Sequence, residues 1–250
     1  MNEVEPKIVT AQGVGGQFNH ALLGRLIAPE ISDFTSAVIP DLSKSFPECE
    51  HWIPNYFLNS IFTGNFPGKW RVYAQNLIYR AQNCLFEYER ARQLTIGFLS
   101  KTTPGKPATT AYFRMLSAWE TSLLNFSIAT DIFRHMNEGT GVFSSKDGSK
   151  YQRAYDLANE VKHYGDTVSK YPDFSDAGDL LPEDDKAPNA IPLWLTNFGF
   201  RSSHYELSFE DYGTAVCDVC EVADKLRNPA SFLEEEKNKR DSEAQGIAIL

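Results

Sequence analysis

The sequence lacks any long hydrophobic run. No apolar stretch among its 250 residues approaches the roughly 20 residues that a helix needs to span a bilayer. The segment from Met1 to Lys7 also lacks the basic end and the apolar stretch of a secretion signal. We therefore expect a cytoplasmic protein that has no membrane partner.

Positive charge is also scarce. Lys and Arg number 24 against 33 Asp and Glu, which gives a net charge of −9. Because phosphate contacts need clustered Lys and Arg, a chain this acidic is a poor general binder of nucleic acid. RNA binding would require a local basic patch that only the fold can create.

Cysteine occurs only at four positions, which are Cys49, Cys84, Cys217 and Cys220. The last two form a C-x-x-C, but the first two do not form a second such pair, so the four-ligand zinc pattern is absent. The C-x-x-C lies inside a helical pattern and not at a strand-to-helix turn. We therefore interpret its two cysteines as small buried residues one turn apart, in preference to a redox or metal site.

The motifs of several common enzyme classes are missing too. The sequence has no phosphate-binding loop and no Ser-His-Asp context. Glu87, Glu89 and Glu120 offer carboxylates, but the paired Glu-x-x-His ligands of a di-iron bundle are absent. We expect no metal and no cofactor.

Core-forming residues are plentiful. Hydrophobic residues make up 42% of the chain and include 17 Phe, 11 Tyr and 4 Trp, enough for a sizeable core. Their spacing predicts long helices over residues 67–100, 107–137, 150–165 and 208–227, and a shorter one over 51–63. A Gly- and Pro-bearing turn between the first two helices predicts an antiparallel pair. The residues expected to be largely buried are Trp70, Tyr73, Leu77, Trp119, Phe126 and Val219.

The predicted fold class is all-α. We expect an antiparallel helical bundle with a small extended element near residues 191–207. In that element, residues 191–196 are expected to pair with 204–207 as a hairpin across 197–203. One helical domain is predicted over residues 19–232, including one or two helices over 18–46 that Pro29 and Pro40 interrupt. The predicted flanking features are a flexible arm at 1–18, an exposed acidic loop at 173–186 and a charged, solvated tail at 233–250.

The segment Leu157-Ala-Asn-Glu-Val-Lys-His163 is the most informative stretch of the chain. It belongs to the helix predicted to end at Gly165, and Asn159 and His163 share one face of that helix. The segment resembles the signature helix of the HEPN superfamily, a group of all-α bundles. The runs 191–197 and 207–211 also look like uncharacterised bacterial HEPN-like proteins, and the resemblance covers roughly residues 67–228.

Many HEPN proteins are metal-independent endoribonucleases of toxin–antitoxin and phage-defence systems. Their usual pattern is an Arg, a polar residue and a His. In this chain the His position matches His163, the polar position matches Asn159, and the Arg position falls on Ala158. The resemblance therefore implies a helical domain that acts on RNA in a defence or toxin–antitoxin-type process with a degenerate active-site motif.

The chemistry of RNA cleavage assigns roles to these residues. A base must take the proton of the 2′-hydroxyl group, and His163 is suited to this task because histidine titrates near neutral pH. Asn159 would orient the imidazole through a hydrogen bond. A cation must hold the charge that develops on the phosphate, and Lys162 is the candidate substitute for the missing Arg. The predicted catalytic set is His163, Asn159 and Lys162.

A structural interpretation accounts for the same residues. Lys162 and His163 would offset the helix dipole at a C-terminus, Asn159 would cap a neighbouring loop, and Gly165 would end the helix. The alternative function is therefore a non-catalytic helical interaction or scaffold protein that dimerises or binds a protein partner.

We also predict a homodimer that joins the helices flanking His163. A two-fold axis there would place two sets of Asn159, Lys162 and His163 in one shared cleft and bring Arg153 of the second copy closer. Aromatic residues, 13% of the chain, would supply the anchors of this interface. HEPN proteins that this chain resembles often pair in this way.

Overall fold

The computed structural model describes residues 9–10, 28–31, 33–100, 108–170 and 191–247. This part of the chain is mainly α-helical with a small three-stranded antiparallel sheet, which confirms the predicted fold class. A short 3-10 turn, Cys49–His51, precedes the first helix. The described elements are β1 (Val9–Thr10), β2 (Ser36–Ala37), α1 (Trp52–Phe62), α2 (Lys69–Ser100), α3 (Ala108–Met136), α4 (Lys150–Ser169), β3 (Trp194–Leu195), β4 (Gly199–Arg201), β5 (Glu206–Ser208), α5 (Phe209–Leu226) and α6 (Pro229–Ile247).

The long helices α2 and α3 form an antiparallel pair. Arg80 Nη1 of α2 donates to Asn125 Oδ1 of α3 at 3.1 Å, and Trp119 Nε1 of α3 donates to Thr95 Oγ1 of α2 at 3.0 Å. Because these contacts run in opposite order along the two helices, the predicted orientation is confirmed. The connecting turn that was predicted at 101–107 lies outside the described residues. None of the described helices is both long and apolar enough to cross a membrane.

Trp119 lies at the centre of the core. Its ring centroid is 5.3 Å from that of Tyr88 on α2, 5.1 Å from Phe200 on β4 and 5.4 Å from Phe209 on α5. All four side chains are fully buried. One aromatic cluster therefore holds the helix pair, the sheet and α5 together.

The predicted core residues are confirmed except at the start of α2. Trp119 and Phe126 are 0% exposed, Leu77 is 1% exposed and Val219 is 8% exposed. Trp70 and Tyr73 are only partly buried, so their predicted burial was wrong. Both belong to the first turns of α2, where Trp70 packs beside Phe66 and Tyr73 stacks on His135 near the end of α3.

The sheet lies where an extended element was predicted, but its pairing differs from the predicted hairpin. β4 is the central strand, with β3 and β5 antiparallel on either side of it. Its residues 199–201 lie in the segment predicted to be the connecting loop. The Tyr112 hydroxyl of α3 accepts a hydrogen bond from the backbone N–H of Leu195 at 3.2 Å, which fixes β3 on the bundle.

Helix α5 begins directly after the sheet. The Ser208 hydroxyl accepts a hydrogen bond from the backbone N–H of Asp211 at 3.0 Å. This is the N-cap that the segment Ser208-Phe-Glu-Asp211 predicts. The cap couples the end of β5 to the helix whose inner face carries Tyr212 and Val219.

Two segments outside the central bundle form elements that the sequence did not predict. The described residues between 28 and 46 contain no helix, and β2 in this segment pairs with β1. At the other end, α6 runs through most of the predicted charged tail. Pro229 suits the first position of a helix, and Asn228 Oδ1 accepts from the backbone N–H of Ser231 at 3.3 Å as a cap. The acidic loop predicted at 173–186 lies outside the described residues.

Candidate functional site

Helix α4 carries the three predicted site residues. It begins at a cap in which the Ser149 hydroxyl accepts from the backbone N–H of Gln152 at 3.2 Å. Its buried residues recur at helical spacing and pack toward α3 and α5. They are Ala154, Leu157 and Ala158. The position that the HEPN pattern assigns to Arg is therefore a core alanine, 1% exposed.

The helix does not end at Gly165. It continues to Ser169, so His163 and Lys162 precede the last turn. The interpretation that Lys162 and His163 offset the dipole of a helix C-terminus was therefore wrong, because that effect is confined to the last turn. A glycine inside a helix costs only about 1 kcal/mol relative to alanine. Gly165 can therefore lie within α4 without ending the helix.

The structure places His163 on an exposed surface. Its side chain is 56% exposed, and its Nδ1 lies 3.5 Å from Asp166 Oδ2 one turn further on. Lys162 is exposed and Asn159 is half-buried. Asn159 and His163 share a helix face, as their spacing predicts, but among the described contacts no hydrogen bond joins them. Asn159 lies beside Tyr155, whose hydroxyl donates to Asp131 at 3.2 Å.

Carboxylates line α4 close to these residues. Glu160 Oε1 lies 2.6 Å from Nδ1 of His204, which belongs to the turn between β4 and β5. Burial, and then the charge of Glu160, raise the pKa of the Asp156 carboxyl. With Asp166, these acids place carboxylates near His163, and carboxylates disfavour the binding of phosphate. His204, which is isolated in the sequence, is thus connected to α4.

The basic residues at the start of α4 are held by acids of α5. Arg153 Nη2 is 3.1 Å from Asp211 Oδ2, and Lys150 Nζ is 2.8 Å from Asp218 Oδ2. The Tyr151 hydroxyl donates to the same Asp218 oxygen at 2.7 Å. These groups tie α4 to α5, so within one chain Arg153 does not approach His163.

The described part of the chain contains well-formed clefts, and two of them bear on the position of the site. One, of about 360 Å³, lies where α1, the end of α5 and the start of α6 meet, and its lining includes Asn59 and Arg227. The other, of about 110 Å³, lies within the bundle beside Leu77 and Val219. Neither cleft includes Asn159, Lys162 or His163, so the predicted catalytic set lies outside both.

The four cysteines are free thiols. Cys220 is fully buried in α5 and Cys217 is half-buried one turn earlier. Burial raises the pKa of both thiols, which disfavours the thiolate that redox and metal chemistry require. Within the described ranges, no cluster of His, Cys, Asp and Glu is arranged to hold a metal ion.

Among the described residues, Glu120 of α3 is a carboxylate whose titration is strongly altered. Burial raises its pKa to about 7 from the ordinary value of 4.5. Between these two values the folded state binds the proton more tightly than the unfolded state, so this group costs stability as the pH rises through that window. Sequence reasoning identified Glu120 as a carboxylate, but its burial is visible only in the fold.

We expect Glu120→Gln to raise the melting temperature at about pH 8.5 and to leave it nearly unchanged at about pH 5, because glutamine removes only the cost of the buried ionised form. Thermal unfolding of both proteins across this range measures the difference. Glu210→Gln, an exposed position on α5, is the control that should show no such trend. A constant difference between Glu120→Gln and the wild type at all pH values would contradict the assignment.

No family model, curated protein or solved structure matches this chain. The resemblance to the HEPN superfamily therefore stays a prediction.

Proposed function

We propose that the chain is a non-catalytic helical protein that acts by binding protein surfaces. The observation that carries this proposal is the outer face of α1. Its large apolar side chains are exposed to the following degrees: Phe57 45%, Leu58 53%, Ile61 73% and Phe62 79%. The helix contains no charged residue along its whole length.

The inner face of α1 is already packed against the core. Trp52 and Tyr56 are buried, and the Tyr56 hydroxyl donates to the backbone carbonyl of Arg71 at 3.0 Å. The fold therefore does not need the outer side chains for its own core. Contiguous exposed apolar residues of this size are typical of surfaces that bind a partner.

The surroundings of His163 support a binding role over catalysis. Ala158 provides no cation, Arg153 is held by Asp211, and Glu160 and Asp166 add negative charge. Cleavage of RNA needs the opposite potential to hold the phosphate. The action on RNA that the HEPN resemblance implies, with His163, Asn159 and Lys162 as catalytic residues, stays a prediction.

A ribonuclease assay decides between the two functions. We expect the wild type and His163→Ala to show the same background cleavage of single-stranded RNA, with and without EDTA. Because His163 is exposed and its contact with Asp166 is on the surface, the substitution should change the free energy of unfolding by no more than about 0.5 kcal/mol. Lys170→Ala, at the exposed C-terminal end of the same helix and outside the predicted catalytic set, is the matched control. Cleavage that resists EDTA and disappears in His163→Ala would overturn the proposal and establish the nuclease.

A further inference from the structure

The cleft of about 110 Å³ within the bundle extends from the core to the surface. Its inner end is formed by buried residues of three helices, which are Leu77 of α2, Ala129 and Thr130 of α3, and Val219 of α5. Its outer end is formed by half-buried residues, which include Phe133, Val142 and Tyr151. Val142 belongs to the loop between α3 and α4. The cleft is therefore a pocket that a small molecule can enter beside this loop. We call it the core cleft.

The polar side chains that line the core cleft already have partners. The Thr130 hydroxyl donates to the backbone carbonyl of Ser127 at 2.8 Å. The Tyr151 hydroxyl donates to Asp218 Oδ2 at 2.7 Å, and Lys150 Nζ lies 2.8 Å from the same oxygen. A polar ligand would therefore lose its hydration in the cleft and find few groups free to replace it.

The rest of the lining is hydrocarbon. It consists of one leucine, one alanine, one phenylalanine and three valine side chains. A water molecule needs about two to four polar partners to be held in a protein interior. Because the polar groups of the lining already bind one another or the backbone, the core cleft favours carbon over water.

The volume of the core cleft limits the size of its ligand. Protein interiors contain few voids larger than a water molecule, so this cleft exceeds what ordinary packing leaves. An apolar cavity of about 150 Å³ accommodates benzene. A cleft of about 110 Å³ whose outer end includes a loop residue accommodates the same ligand after a small outward shift of that loop.

We propose that the core cleft binds a small uncharged apolar molecule of about six carbon atoms. Leu77, Ala129 and Val219 contact its inner side, and Phe133 and Val142 close over its outer side. Because the cleft joins α2, α3 and α5, the ligand stabilises the contacts among these three helices. The inference goes beyond the proposed function, since no residue of α1 lines the core cleft.

Thermal unfolding with benzene and with phenol tests the core cleft. Benzene should raise the melting temperature of the wild type in a concentration-dependent way, because a ligand that binds only the folded state stabilises it. Phenol at the same concentration should raise it less, since its hydroxyl group must give up water. An unchanged melting temperature with benzene, or an equal or larger effect of phenol, would reject the proposed class of ligand.

Methyl resonances locate the bound benzene. Titration with benzene should shift the methyl signals of Val142, Val219 and Val222, which line the core cleft. The methyl signals of Val38, which is 47% exposed and lies outside the cleft, should stay in place. Shifts at Val38 without shifts at Val219 would show that benzene binds another surface and would overturn the inference.

A substitution that fills the core cleft should remove the response to benzene. Ala129→Leu adds carbon atoms at the inner end, so its melting temperature should equal or exceed that of the wild type and should not respond to benzene. Ala118→Leu is the matched control, because Ala118 is 2% exposed on the same helix and lies outside the cleft. We expect overpacking to lower its melting temperature and the response to benzene to remain.

Val222→Met is a second filling variant, which places a flexible side chain at a half-buried position of the lining and keeps the test valid if Ala129→Leu does not fold. It should weaken the response to benzene. A response that persists unchanged in every folded filling variant would place the ligand elsewhere and overturn the inference. These measurements do not involve the outer face of α1 or His163, so a failure of the core cleft and a failure of the proposed function are distinguishable.

Discussion

Phe126→Ala is expected to lower the free energy of unfolding by about 3–5 kcal/mol, because it removes a fully buried ring from the middle of α3. The ring of Phe126 lies 5.9 Å from that of Tyr212, in an edge-to-face arrangement. Tyr212 in turn shares a hydrogen bond of 2.7 Å with the buried hydroxyl of Ser122. A cavity beside Tyr212 would therefore loosen the contact between α3 and α5 as well as remove apolar burial.

Urea denaturation followed by circular dichroism measures this loss. Phe113→Ala is the matched control, because Phe113 lies on the same helix but is 40% exposed. We expect it to cost clearly less, about 1–2 kcal/mol, since only part of its ring is buried. Equal losses for the two variants would show that helix propensity, and not burial, determines the cost.

The long helices could be predicted from the sequence because each carries a repeating apolar face. Leu77, Trp119, Phe126 and Val219 lie on these faces, and all four are buried. The same pattern extends to Trp70 and Tyr73, which remain partly exposed. Periodicity shows which side of a helix is apolar, but it does not show where along that side the neighbouring elements end.

The pairing of the strands in the sheet could not be predicted from the sequence. Its strands contain two or three residues each, too few for an alternating pattern to show a register. The pairing depends on contacts from distant segments. One is the bond between Tyr112 and Leu195, and another is Asn197 Oδ1, which accepts from the backbone N–H groups of Thr35 and Ser36 at 3.0 and 3.1 Å.

At the candidate site, too, features set by neighbouring residues could be predicted, whereas contacts between distant segments could not. The spacing of Asn159 and His163 correctly predicted a shared helix face. The end of the helix was predicted wrongly, because Gly165 can either stop a helix or lie within one. His204 and Glu160 are in contact although they are 44 positions apart in the sequence. Only the fold brings these two side chains together.

Gly199→Ala is expected to disrupt the sheet. A Cβ atom at this position would lie 2.0 Å from the backbone oxygen of Leu207 and 2.7 Å from Cα of Ser208. Both atoms belong to β5, whose backbone cannot yield as a flexible side chain would. The strands must therefore separate beside Phe200, which packs on Trp119 at 5.1 Å. We expect a loss of about 3 kcal/mol, the upper end of the usual range for overpacking, because the contact is with backbone.

The same substitution at Gly165 should have the opposite sign. No atom lies within 4 Å of a Cβ built there, and the residue lies inside α4, so alanine gains helix propensity without a clash. We expect Gly165→Ala to stabilise the protein by up to about 1 kcal/mol. Thermal unfolding of both variants, together with near-ultraviolet circular dichroism of the Trp119 environment, measures the contrast. If Gly199→Ala kept the wild-type stability and aromatic signal, the close approach of β4 and β5 at this residue would have to be abandoned. If Gly165→Ala were destabilising, the extension of α4 to Ser169 would be in error, because a residue that ends a helix requires the conformation that glycine alone adopts easily.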